Sequence, residues 1–201
     1  MRDYVSIANQ YIDDVLTGKI PACEWVIKAC ERQKRDLKSI PSYTFNPKRG
    51  AKVCYFVEHL RHTKGPLARQ KIKLEPWQIF ILTTVFGWVD STGARRFKDV
   101  YIEVPRGNGK SALSSAIALY MLAADGEYGA ECYSFATTGD QAKIVFDVAR
   151  QMAMMSPDVK SALNLTVQKY SITQLSTGSR FSPKNSKDDN LDGLNKNFGC
   201  I

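Results

Sequence analysis

The segment Val104-Pro105-Arg106-Gly107-Asn108-Gly109-Lys110-Ser111 constrains this 201-residue chain more than any other. Before it, Asp99-Val100-Tyr101-Ile102-Glu103-Val104 is rich in β-branched and aromatic residues and predicts a strand that stops at Pro105. After it, Lys110 to Ala124 is rich in Ala, Leu and Ile and predicts a helix. A loop that leaves a strand and enters a helix turns its free backbone N–H groups inward. With the positive end of the helix dipole, those donors make an anion site. Gly107 and Gly109 let the backbone approach a phosphate without a Cβ in the way. Lys110 suits the β and γ phosphates of a nucleotide, and the Ser111 hydroxyl suits Mg²⁺. The usual pattern has a glycine where Val104 stands. A bare Gly-Lys-Ser/Thr arises by chance in about one in ten chains of this length, so the strand-and-helix setting carries the reading. Arg106, inside the loop, is placed either to stabilise charge on a γ-phosphate or to pair with a neighbouring carboxylate.

The remaining pattern is α/β. Glu131 to Ala136 predicts a second strand, and Thr138 to Met155 a helix with Ala142, Val145, Phe146, Ala149 and Met152 on one face. Strand, helix, strand, helix in that order predicts a parallel sheet flanked by helices. Thr166 to Pro183 alternates around Ser176-Thr177-Gly178-Ser179 and predicts a β-hairpin. Phe198 to Ile201 begins another strand. Residues 3 to 38 are helical, broken at Thr17-Gly18-Lys19-Ile20-Pro21. Pro41 to Gly50 reads as a loop and Val53 to Leu60 as a short helix. Pro76-Trp77-Gln78 opens a helix through about Trp88, since proline suits a first helical turn. Gly65-Pro66 marks a boundary. The expected organisation is a helical N-terminal region, 1–65, followed by a phosphate-loop core, 66–201.

Net charge is +8, and between Lys28 and Lys73 stand 13 Lys and Arg against Glu31, Asp36 and Glu58. Such a surface suits a polyphosphate partner, or it is simply a solvated face. The five cysteines include no Cys-x-x-Cys pair, so reduced, mostly buried thiols are expected. His59 and His62 lie far from any cysteine pair, which argues against a zinc site. The longest apolar runs, Ile79 to Val89 and Ala112 to Ala124, are short for a membrane span. The N-terminus has no continuous apolar stretch of the secretory kind.

Three segments together resemble the ATPase domain of tailed-phage terminase large subunits, the motors that package DNA into empty capsids. The loop Val104 to Ser111 is similar to that family's deviant Walker A. Leu74-Glu75-Pro76-Trp77-Gln78 resembles its adenine-side motif, and Ala136-Thr137-Thr138-Gly139-Asp140-Gln141-Ala142 resembles the segment joining its second strand to the next helix. The resemblance implies a P-loop NTPase-type sheet with a helical N-terminal appendage. It implies ATP and Mg²⁺ as cofactors. Gly107, Asn108, Gly109, Lys110, Ser111, Gln78 and Trp77 would bind nucleotide, Ser111 would hold the metal, and Lys110 and Arg106 would act in catalysis. An amide such as Gln78 can make two hydrogen bonds to an adenine edge, while Trp77 suits packing. Implied partners are double-stranded DNA, a portal protein, a terminase small subunit and further copies of the chain. The implied location is the bacterial host cytoplasm.

The resemblance also sets limits. In the family a hydrophobic strand ends in an Asp that orients Mg²⁺, followed by a Glu that activates water. Phe198 to Ile201 looks like the start of that strand, with no carboxylate after it, and nothing here corresponds to a nuclease domain. Weak or absent turnover is therefore expected of the chain alone. Leu191-Asp192-Gly193-Leu194-Asn195 reads as a turn before that strand. Two other readings stay open at this stage. One is a non-catalytic nucleotide- or DNA-binding module that uses the basic Lys28–Lys73 region. The other is a helicase-like nucleic-acid ATPase.

Overall fold

The computed structural model describes residues 2–185 and 196–200, so the turn expected at Leu191–Asn195 lies outside the described residues. The chain forms two compact units, one of residues 1–55 and 73–102, the other of residues 56–72 and 103–201. The boundary expected at 65/66 thus falls inside the 56–72 segment of the second unit.

In the first unit, α1 (Tyr4–Leu16) starts where the Asp3 carboxylate accepts from the Ser6 backbone N–H. It buries Tyr4, Ala8, Ile12 and Val15, a one-sided spacing that comes from the 3.6-residue turn. That face packs on α4 (Pro76–Gly87), whose Ile79, Phe80, Leu82 and Phe86 are buried. The rings of Tyr11 and Phe80 lie 5.5 Å apart. Helix α2 (Glu24–Asp36) contributes Gln33, whose side-chain oxygen accepts from the buried Trp88 indole at 2.8 Å. Asp36 at its end is buried against Arg96 at 2.8 Å. The Arg96 guanidinium stacks on Tyr43, Trp88 and Phe97, so this buried pair is held by both charge and aromatic faces.

Two features depart from the sequence reading. Helix α3 (Pro47–His59) begins inside the expected Pro41–Gly50 loop. Pro47 takes the first helical position, where a missing N–H costs nothing. Gly50 is retained inside the helix because a Cβ there would meet the Thr83 carbonyl oxygen at 3.0 Å. The second departure is a short antiparallel pair, β1 (Thr44–Phe45) with β2 (Trp88–Val89).

The second unit holds a five-stranded sheet in the order β4-β5-β6-β3-β7. These strands are β3 (Glu131–Ala136), β4 (Leu165–Val167), β5 (Ile172–Gln174), β6 (Ser179–Asn185) and β7 (Lys196–Cys200). The expected strand at 131–136 and hairpin around 176–179 are both present. β3 runs parallel to β6 and to β7, while β4 and β5 run antiparallel, so the sheet is mixed. α5 (Lys110–Ala123) and α6 (Gly139–Met155) pack on each other and on β3 and β6. The Ser115 hydroxyl donates to the Val145 carbonyl at 2.7 Å, and the Ser134 hydroxyl to that of Ala142 at 2.8 Å. Phe146 and Phe181 are fully buried, ring against ring at 5.5 Å. A short α7 (Pro157–Ala162) leads into β4. Among the described residues no helix is long and apolar enough to cross a membrane.

The strand expected over Asp99–Val104 does not form. Those residues are in no ladder, since the two neighbours of β3 are β6 and β7. β-Branched and aromatic composition favours an extended backbone, but a strand also needs a partner to take its N–H and C=O groups.

Candidate functional site

The helix side of the loop that enters α5 is built as its sequence predicts, while the strand expected before it is absent. Gly107 has φ +85° and Gly109 has φ +74°, left-handed values that cost a Cβ-bearing residue about 1 kcal/mol or more. Nothing lies within 4 Å of where a Cβ on either would point, so the backbone faces open space. Gly109 is the N-cap of α5, and no side chain caps it. The first backbone bond of the helix runs from the Leu113 N–H to the Gly109 carbonyl. The N–H groups of Lys110, Ser111 and Ala112 therefore stand at the positive end of a fourteen-residue helix with no capping acceptor. That is the donor set an anion needs.

The side chains complete it. The Lys110 ammonium donates to the Val104 carbonyl at 2.5 Å, folding back across the loop it follows. The Asn108 amide donates to the Pro105 carbonyl at 3.3 Å and closes the turn beneath the glycines. Arg106 is exposed, and Ser111 is half-buried at the first turn of α5. The structure thus brings Val104, Arg106, Gly107, Asn108, Gly109, Lys110 and Ser111 into one loop. The Val104 carbonyl, a partner of Lys110, is not among the candidates the sequence offers. The departure from glycine at that position still leaves a backbone oxygen in place.

Trp77 and Gln78 are in the other unit, in the first turn of α4. Glu75 and Gln78 form a capping box, in which the Glu75 N–H donates to the Gln78 side-chain oxygen at 2.9 Å. One face of the Gln78 amide is therefore committed to the helix start, while its NH₂ donors are not part of that box. At the third motif, Thr138 caps α6 by accepting from the Gln141 N–H, and the Thr137 hydroxyl bonds the Gln141 side chain at 3.1 Å. Gln141 so has a local structural partner at the C-terminal end of β3.

The family described as "Terminase large subunit, ATPase domain" matches residues 76–201. The crystal structure of the HK97 bacteriophage large terminase is similar in fold, with a TM-score of 0.61 at 21% identity. The match covers 75% of this chain and 30% of that one, so the chain spans under a third of that terminase's length. No curated protein matches the sequence. The family match covers well over half of the chain and runs through the loop, α5, β3 and α6. On that match, the chain belongs to the terminase large subunit ATPase-domain family.

Proposed function

We propose that this chain is the ATP-binding part of a DNA-packaging motor, in which ATP hydrolysis drives viral DNA into a capsid. The observation that carries the reading is the uncapped N-terminus of α5 behind two left-handed glycines, with Lys110 folded over it. Nucleotide binding follows from the family, and ATP with Mg²⁺ is the form the loop fits best. The Gly107 and Gly109 backbone and the first N–H groups of α5 would cradle the β and γ phosphates. Lys110 would exchange the Val104 carbonyl for phosphate oxygens, gaining a charged acceptor in place of a neutral one. The Ser111 hydroxyl would hold Mg²⁺, which when bound offsets charge on the phosphates. Arg106, exposed in the loop, would place its guanidinium on the γ-phosphate as negative charge spreads there. Gln78 would read the adenine edge with its amide donors, with Trp77 supporting the same helix turn. Double-stranded DNA, a portal protein, a small subunit and further copies of the chain are the partners of this reading, in the host cytoplasm.

Calorimetric titration with ATP and Mg²⁺ tests it. Saturable binding is expected, and Lys110→Ala should weaken it at least about tenfold, the order expected when a charge-assisted hydrogen bond is removed. Equal binding by both proteins would remove the loop from the nucleotide site.

A further inference from the structure

Several of the cations between Lys28 and Lys73 have partners. Lys28 pairs with Glu24, Lys34 with Asp13, and Arg35 with Asp36, while Arg49 donates to the Gly93 carbonyl. The segment from Arg61 to Lys71 is different. It folds as a small hairpin in which His62 donates to the Gln70 carbonyl at 2.9 Å and Arg69 to that of His62 at 2.8 Å. Arg61 and Lys71 face each other across an antiparallel bridge. At its base Leu60 and Ile72 are buried and joined by the Ile72 N–H donating to the Leu60 carbonyl at 2.9 Å, and the Arg61 N–H donates to the Ser156 hydroxyl at 3.0 Å.

From His59 to Ile72 the sequence contains no carboxylate. Arg61 is half satisfied: its guanidinium donates to the Arg69 carbonyl at 2.8 Å and lies 4.0 Å from Asp158. Lys64, Arg69 and Lys71 are exposed, and among the described residues none of them forms an ion pair. Two features make this arrangement costly to keep. Like charges directly opposite in a ladder repel, as Arg61 and Lys71 do. Arg69 also holds φ +68°, a left-handed value unusual for any residue with a Cβ.

We propose that this hairpin is a sequence-independent contact for the phosphate backbone of duplex DNA. The inference rests on reading the chain as part of a DNA-handling motor and adds the surface that meets the DNA. Phosphate is the fitting partner because the hairpin offers cations with a single exposed large hydrophobic side chain, Leu67, and no aromatic anchor. Protein interfaces draw their energy from a buried apolar or aromatic centre, which is missing here. A regular array of phosphates needs only charge and hydrogen-bond donors.

The test is binding of the full chain to a labelled, mixed-sequence DNA duplex across a salt series. The variant is Lys64→Ala/Arg69→Gly/Lys71→Ala, in which glycine also suits the left-handed position. Removing one cation–phosphate pair should make the slope of log K against log salt shallower by about 0.9, so the triple variant should flatten it by about two to three. A charge-matched Lys38→Ala/Lys48→Ala/Lys73→Ala protein should keep the wild-type slope. Lys64→Ser/Lys71→Ser, changing exposed side chains alone, should show a proportionate flattening and serves if the triple variant does not fold. An unchanged slope in the hairpin variants, or an equal drop in the charge-matched control, would overturn the proposal. Hairpin-dependent binding to polyglutamate without hairpin-dependent binding to DNA would assign the surface to an acidic protein instead. ATP titration of the same proteins separates this from the nucleotide reading. Wild-type chain that binds ATP but no DNA at low salt sinks the hairpin alone, and hairpin-dependent DNA binding without ATP binding sinks the loop alone.

Discussion

Asp3, Asp14 and Asp90 each hold their carboxyl below the ordinary value of 3.8, and each does so through local hydrogen bonds. For Asp3 the largest cause is the Ser6 hydroxyl, for Asp14 the Lys19 ammonium followed by Gln10, and for Asp90 the Thr92 hydroxyl. A carboxyl with a depressed value in the folded state stabilises the fold above its unfolded value. That contribution is lost as pH falls through the folded value. The thermal midpoint should therefore be insensitive to these groups near neutrality and fall below about pH 4. Asp3→Ala/Asp14→Ala/Asp90→Ala should show a shallower acid limb, and identical limbs would refute the assignment. Thiols give a second residue-scale prediction. Burial pushes the Cys30 and Cys200 thiols up to about 11, while Cys23 is exposed. The thiolate is the reactive form. Iodoacetamide near neutral pH should modify Cys23 first, with buried Cys30 following only after denaturation. Intact mass with peptide mapping reads this directly, and early labelling of Cys30 would contradict it.

Among the elements, α4 carries two roles that one substitution can separate. Its N-terminus is closed by the Glu75–Gln78 capping box, and the same Gln78 is the proposed adenine reader. Gln78→Glu keeps an acceptor at the third helical position, where Glu serves the box as well as Gln. It removes the NH₂ donors an adenine edge would need. Stability to urea should hold while ATP affinity drops; full ATP affinity would leave Gln78 as a cap and nothing more. At the other end, a Cβ on Gly87 would overlap the Phe45 ring, so Gly87→Ala should cost about 1–3 kcal/mol in urea unfolding. That packing also shows what sequence patterns convey and what they omit. β3, α5 and α6 were legible because period and composition act within a segment: Ala142, Phe146, Ala149 and Met152 form one buried stripe. The hairpin of β5 and β6 was legible from its turn residues. The pairing of β1 with β2 joins residues 44–45 to 88–89, and no local pattern encodes a partner that far along the chain. For the same reason Asp99–Val104 looked like a strand and is not one. Of the loop entering α5, the left-handed glycines and the helix start were legible because they are contiguous, while the absence of a strand before them was not. The partner of Lys110 was not, since a backbone carbonyl leaves no mark in a sequence.

On the scale of the whole molecule, the chain passes between its two units three times, at 55/56, 72/73 and 102/103. Contiguous excision at any single point would leave one unit incomplete, so binding is best measured on the intact chain. The proposed ATP site then has a consequence for global stability. A ligand that binds only the folded state stabilises it by RT ln(1 + [L]/Kd), about 2.7 kcal/mol at a hundredfold excess over Kd. For a chain of this size each kcal/mol shifts the midpoint by about 2–4 °C, so saturating ATP with Mg²⁺ should raise Tm by roughly 5–10 °C. A basic protein of net charge +8 also attracts any polyanion, and that attraction is screened by salt. The loop's own interactions involve backbone N–H groups, Lys110 and Arg106 at short range and should survive screening far better. The shift should therefore persist at high ionic strength, follow ATP rather than an equal charge of polyphosphate, and vanish in Lys110→Ala. A shift that salt abolishes, or that Lys110→Ala retains, would assign ATP to the general basic surface instead of the N-terminus of α5.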